Sequence, residues 1–104
     1  MVYFRMRIFS RKTLKEFWEL SAYANSEQPL KAWYDEAKKA TWKTPNDIKA
    51  LYAHASILKD GRVVFNIHGN SYRLVVKINY DFGVIYIRFV GTHDAYDKIN
   101  VNEV

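Results

Sequence analysis

The 104-residue sequence predicts an α+β fold: an antiparallel β-sheet with two to three helices packed on one face, in the order β-α-α-β-β-β. Three observations predict it. The front half carries apolar residues at helical spacing behind N-cap signals. The back half, Arg62 to Ile99, holds three consecutive segments of period-two alternation. Tight-turn residues separate those segments, at Asp60-Gly61, Gly69-Asn70 and Tyr80–Gly83.

In order along the chain, Val2 to Phe9 alternates Val2, Phe4, Met6, Ile8 against Tyr3, Arg5, Arg7, Phe9, the period of a strand. Ser10 and Thr13 offer N-caps to a first helix, and Thr13 with Glu16 forms a capping-box pattern. Leu14, Phe17, Trp18 and Ser21 follow on one helical face. A second helix starts at Ser26-Glu27-Gln28-Pro29 and turns Leu30, Trp33, Tyr34 and Ala37 inward. Thr44-Pro45-Asn46-Asp47 opens a short third helix with Ile48 and Leu51 facing the core.

The β half begins after Asp60-Gly61 with Arg62–Ile67. Gly69-Asn70 is a two-residue hairpin signal, with Gly at the first central position as a type II′ turn requires. Tyr72, Leu74, Val76, Ile78 and Tyr80 share one face of the next strand; Arg73, Val75, Lys77 and Asn79 share the other. On the last strand Ile85, Ile87 and Phe89 oppose Tyr86, Arg88 and Val90. If both apolar faces meet one core, the Tyr80–Gly83 connection is of even length, because a one-residue slip turns every side chain over. In that register Arg88 lies beside Arg73 and Lys77, and three cations share the face turned away from the helices.

Composition bounds the function. The length expects one domain over residues 1–104 with an ordinary small core. Nearly half the residues are apolar and 16% are aromatic, which excludes a disordered chain. A net charge of +5 and a pI near 9.5 favour a polyanionic partner. Zero cysteines exclude disulfides, thiolate zinc sites and a Cys nucleophile. The start, interrupted by Arg5 and Arg7, does not read as a signal peptide, and no apolar run reaches membrane-spanning length. The expectation is a cytoplasmic protein with no membrane partner.

Several features have simple structural readings. His54, His68 and His93 match no metal-ligand spacing, so no metal and no cofactor are expected. Gly69 and Gly83 read as turn residues and Asp35-Glu36 as an exposed helix face. Trp18 and Trp33 belong to the core by spacing, whereas Trp42, in a loop before Lys43, fits either packing or base stacking. Lys38, Lys39, Lys43 and Lys49 form a loose basic strip.

The cationic sheet face has two readings. One is a solvated surface whose Arg and Lys stems cover apolar area. The other gains from His93 and Tyr96, which follow the Arg88 strand directly. Intramolecular RNA cleavage needs a base for the 2′-OH, cations for the charge on pentacoordinate phosphorus, and an acid for the 5′-oxygen. Imidazole exchanges protons near neutral pH, and Arg binds two phosphate oxygens at once.

Four stretches carry a family resemblance. They are Pro29–Trp33, Ala40–Asp47, Val64–Leu74 (VFNIHGNSYRL) and Tyr86–Asp97 (YIRFVGTHDAYD). Together they resemble the HigB group of the RelE/ParE toxin superfamily, over nearly the whole chain. The resemblance implies a RelE-like fold and a type II toxin that acts as a ribosome-dependent mRNA endonuclease. It also implies a helix-turn-helix, HigA-like antitoxin as partner. Carried over residue by residue, Arg73 and His93 match positions that look functional in such toxins, and Tyr96 and Asp97 complete the motif. The sheet-face argument, not the family, adds Arg88 to the catalytic set and Lys77 to the RNA-binding one. Lys43, Asn66 and Asn70 are further RNA-binding candidates, although turn chemistry explains Asn70 equally well. Tyr72 reads as packing. The expected division of labour is His93 as general base or acid with Tyr96 as helper, and Arg73 on the scissile phosphate. The superfamily also contains ParE-like gyrase inhibitors that cleave no RNA, so a non-catalytic binding toxin or RNA-binding module of the same fold is the alternative.

Overall fold

A computed structural model describes residues 5–104. The expected first strand therefore lies partly outside the described residues: Val2, Tyr3 and Phe4 precede them, and β1 spans Arg7–Phe9. Helix α1 (Arg11–Trp18) follows, then a 3-10 turn over Ser21–Ser26, α2 (Glu27–Lys39) and α3 (Pro45–Leu51). The chain then forms β2 (Ser56–Ile57), β3 (Arg62–Ile67), β4 (Tyr72–Asn79), β5 (Val84–Thr92) and a short α4 (His93–Asp97).

The α+β class and the main element order agree with the sequence. The sheet is mixed, ordered β1-β5-β4-β3-β2, because β1 pairs parallel with β5 while every other pair is antiparallel. Alternation within β1 shows that it is a strand but cannot name a neighbour some 75 residues away in sequence. The β4–β5 hairpin behaves as expected, whereas the β3–β4 connection spans four residues, 68–71, rather than the two of Gly69-Asn70. Asn79 pairs with Val84 across a four-residue connection, so the even-length expectation is met. At the β3–β4 turn Gly69 has φ 62° and Ser71 N–H donates to the His68 carbonyl at 3.1 Å. His68 is also left-handed, at φ 53°.

Three helix details differ from expectation. Helix α1 starts at Arg11 behind Ser10, so Thr13 lies inside the helix and its capping box with Glu16 does not form. The box forms at α3 instead. Thr44 Oγ1 accepts from Asp47 N–H, and the Asp47 carboxylate accepts from Lys43 and Thr44 N–H at 2.9 and 3.1 Å. Those donors favour the ionised form and hold Asp47 below its usual carboxylate pKa. Leu51 is 54% exposed, because α3 ends there and Tyr52 turns inward in its place.

One core joins the helices to the inner sheet face. Leu14, Trp18, Leu30, Trp33, Ala37 and Ile48 meet Val63, Phe65, Ile67, Leu74, Val76, Ile78 and Ile85. Each of the largest contributes roughly 2 kcal/mol by leaving water. Trp42 is settled as a core residue: it is 5% exposed and stacks on Phe65 at 6.1 Å. Tyr72 packs against Phe17 and Tyr23 edge-on, and its hydroxyl donates to Asn25 Oδ1.

The outer sheet face is not open along its whole length. Val64, Val75 and Arg62, all on that face by register, are buried. Helix α4 packs on β4 and β5, with Tyr96 6.4 Å from Phe89. Past α4, the Val104 carbonyl accepts two bonds from the Arg62 guanidinium, at 3.2 and 3.0 Å. The C-terminal segment thus covers the middle and the β3 side of a face that the sequence reading left to solvent.

The register of β5 also departs from simple alternation. Val76 pairs with Ile87 but Val75 pairs with Phe89, so Arg88 is an extra residue in a β-bulge. Beyond it the faces exchange. Val90, not Phe89, joins the core, and Phe89 turns outward. The Phe89 ring then lies over Gly91, where an added Cβ would stand 2.6 Å from Phe89 Cζ.

Candidate active site

Register sorts the outer face into rows running across the strands. The first is Asn66–Arg73–Gly91 and the next Val64–Val75–Phe89. The last is Arg62–Lys77–Tyr86, extended by Phe9 on β1. Lys77 lies four positions after Arg73 along β4, about 13 Å of extended chain. The expected cluster of three cations is therefore two groups on one face, at opposite ends of the strand.

The first group gathers at the turn end. Arg73 is held by its neighbours: Nη1 donates to the Asn70 and Tyr72 carbonyls, and Nη2 to Asn70 Oδ1, each at 3.2 Å. Three of its five N–H donors are so engaged, and two remain for an anion. Asn70 thus acts on Arg73 as well as on the turn, and Asn66 is exposed as the cross-strand partner of Arg73. On the other side β5 runs into α4. Thr92 caps that helix by accepting from Ala95 N–H at 3.1 Å, and His93 N–H donates to the Ser71 carbonyl at 3.2 Å. That bond ties the start of α4 to the turn before β4, two residues ahead of Arg73.

One turn along α4, the Asp97 carboxylate lies 3.0 Å from His93 Nδ1, with both side chains about half exposed. The expected helper, Tyr96, instead turns toward Phe89. The sequence held the signal for the Asp97 contact: residues four apart in a helix lie one above the other. A carboxylate that accepts from Nδ1–H leaves the lone pair of the neutral ring on Nε2. His93, Asp94 and Asp97 offer ligand atoms within 4.8 Å of one another, the one such group among the described residues. All three are exposed, and the His93–Asp97 bond already accounts for their closeness.

The second group lies at the other end. Lys77 and Arg88 line an open cleft of about 600 Å³ with Tyr86 and Asn79, and Asp60 and Asp81 stand at its turn-side rim. The Arg88 side chain thus leans toward Lys77 rather than Arg73. The remaining candidates lie elsewhere. Lys43 is exposed in the loop before α3, on the rim of a separate groove lined by Arg5, Trp42 and Phe82. Lys49 does not join a free basic strip, because its Nζ donates to the Ala53 and Ala55 carbonyls at 2.6 and 2.8 Å. Among the described residues no helix is long and apolar enough to cross a membrane.

Comparison with known proteins gives these groups a setting. Residues 26–99 match the family model of the HigB toxin, described as the RelE-like toxic component of a toxin–antitoxin system. Over 94 residues, 88% of this chain and 88% of the relative, the sequence is 32% identical to the mRNA interferase toxin HigB of Escherichia coli K12. The same figures hold for the mRNA interferase HigB of Escherichia coli O157:H7 and of Shigella flexneri. The chain belongs to the HigB family of RelE-like toxins, and its partner is accordingly an antitoxin.

Proposed function

We propose that this toxin is an mRNA interferase, an endoribonuclease that cleaves transcripts on the ribosome and so arrests translation in the cytoplasm. The single observation that carries the reading is that the turn end of β4 and the end of β5 bring together the segments that carry a fixed guanidinium and a carboxylate-held imidazole. Its relatives are named mRNA interferases, which supports the same reaction here.

In the proposed mechanism His93 Nε2 takes the proton of the ribose 2′-OH while Asp97 steadies the imidazolium through Nδ1. The 2′-oxygen attacks the adjacent phosphorus, and Arg73 meets the developing charge with its two remaining N–H donors. The P–O5′ bond breaks, and water supplies the proton taken up by the departing 5′-oxygen, since Tyr96 is turned toward Phe89. The products are a 2′,3′-cyclic phosphate and a 5′-hydroxyl. Asn66 and Asn70 border the phosphate site and hold RNA and Arg73 in register. Lys77 and Arg88, at the other end of the face, grip adjoining backbone rather than the scissile group. Lys38, Lys39 and Lys43 face ribosomal RNA, and the antitoxin is of the helix-turn-helix, HigA-like kind.

The test is 5′-end mapping of a reporter mRNA in a purified translation system, with and without ribosomes, for wild type and Arg73→Ala. Cuts that need ribosomes, end in a 5′-hydroxyl and vanish in a folded Arg73→Ala variant are the expected result. Growth arrest without cuts under either condition overturns the reading and moves the weight to a non-catalytic, gyrase-type toxin.

A further inference from the structure

The sheet edge beside the Lys77–Arg88 cleft carries a feature that the proposed chemistry does not use. Tyr86 and Phe9 are 42% and 50% exposed, paired across the parallel β1–β5 ladder, with ring centroids 6.0 Å apart and planes 23° from parallel. Large aromatic side chains at that exposure leave roughly half their apolar surface in water, and two neighbours doing so on one face form a patch. Cations surround them. Lys77 is the cross-strand neighbour of Tyr86, Arg88 is two residues along the same strand, and Arg7 lies on the same outer face of β1, since Ile8 between Arg7 and Phe9 packs inward. Arg7 and Arg88 are exposed and Lys77 half-buried.

We infer that the Tyr86–Phe9 pair is a stacking platform for unpaired bases that flank the scissile phosphate of the RNA strand, with Lys77, Arg88 and Arg7 gripping the backbone beside it. The inference rests on the mRNA interferase reading and names where the flanking nucleotides run. Exposed aromatics that stack bases, interleaved with cations that follow the phosphates, are the two parts that single-strand binding needs. Stacking works on every base, so the platform confers affinity and register, not a sequence preference. The bulge at Arg88 contributes directly: it turns that side chain into the cleft and out of the row beside Arg73. The carboxylates of Asp60 and Asp81 line the same cleft and repel phosphate, so the backbone is held by the cationic side chains alone.

The experiment uses ribosomes programmed with an mRNA carrying 2′-deoxyribose at the scissile nucleotide and 4-thiouridine at flanking positions. Wild type, Tyr86→Ala, Tyr86→Phe, Phe9→Ala and Arg73→Ala are compared for photocrosslinking and, on normal mRNA, for KM and kcat. Peptides containing Tyr86 or Phe9 should crosslink to the flanking bases. Tyr86→Ala should raise KM about tenfold with a smaller change in kcat, and Tyr86→Phe should restore it. An unchanged KM in Tyr86→Ala and Phe9→Ala, while Arg73→Ala abolishes cutting, overturns the platform and leaves the nuclease reading intact. Loss of antitoxin binding in Tyr86→Ala with KM unaltered overturns it too, and gives the face to the antitoxin. If wild type neither cuts nor crosslinks RNA, the nuclease reading itself fails.

Discussion

Substituting Gly61 by alanine should destabilise this toxin by about 2–4 kcal/mol, far more than the same change at Gly69. Gly61 has φ 75°, a conformation that costs an L-residue about 1–2 kcal/mol. Its added Cβ would stand 2.5 Å from the Ile78 carbonyl oxygen, a contact that something must relieve. The oxygen belongs to backbone, and Ile78 N–H donates to the Gly61 carbonyl at 2.8 Å, so retreat of β4 breaks a β-sheet hydrogen bond worth about 1 kcal/mol. Gly69, at φ 62°, pays the conformational cost alone, because nothing lies within 4 Å of its Cβ. Urea unfolding followed by tryptophan fluorescence reads the difference as a drop in midpoint at constant slope. Equal losses for Gly61→Ala and Gly69→Ala would refute the steric argument. Because Gly61 borders the Lys77–Arg88 cleft, the surviving folded Gly61→Ala protein should also bind RNA less well.

Three further outcomes follow from the geometry. Asp97→Asn keeps the shape of the His93 contact but removes its charge, and should slow cleavage several-fold with little change in KM, read in single-turnover assays. Lys49→Met should lower stability by about 1 kcal/mol, by thermal or urea unfolding, and leave RNA affinity and its salt dependence unchanged, because its ammonium is spent on Ala53 and Ala55. Asp47 is held below the usual carboxylate pKa, so its contribution is present above about pH 4 and is lost as pH falls through the depressed value. Asp47→Asn should therefore weaken the fold at neutral pH and flatten the acid limb of the stability profile. An unaltered acid limb would show that the Thr44–Asp47 cap contributes nothing.

The alternation of Tyr72 to Ile78 and the signals at Pro29, Pro45, Gly69 and Gly83 were enough to place helices, hairpins and the inner face. Each is a local property, carried by side-chain period or backbone freedom within a few residues. The candidates Arg73 and His93 were legible for the same reason: one sits on a strand of known facing and the other where a strand ends. What the sequence could not hold is set by contacts between distant segments. Alternation cannot announce a bulge, so the exchange of Phe89 for Val90, and the turning of Arg88 toward Lys77, emerge only when β4 and β5 are paired. No local pattern tells β1 to lie parallel beside β5, yet that pairing alone sets Phe9 against Tyr86. Likewise, only the folded chain shows the C-terminal segment over Val64, Val75 and Arg62, which divides one expected cationic face into a turn-end site and a separate cleft. The sequence by itself determined the main helices and strands and the facing of those without a bulge. Tertiary pairing decided which side chains meet, because period fixes direction and only long-range contact fixes neighbours.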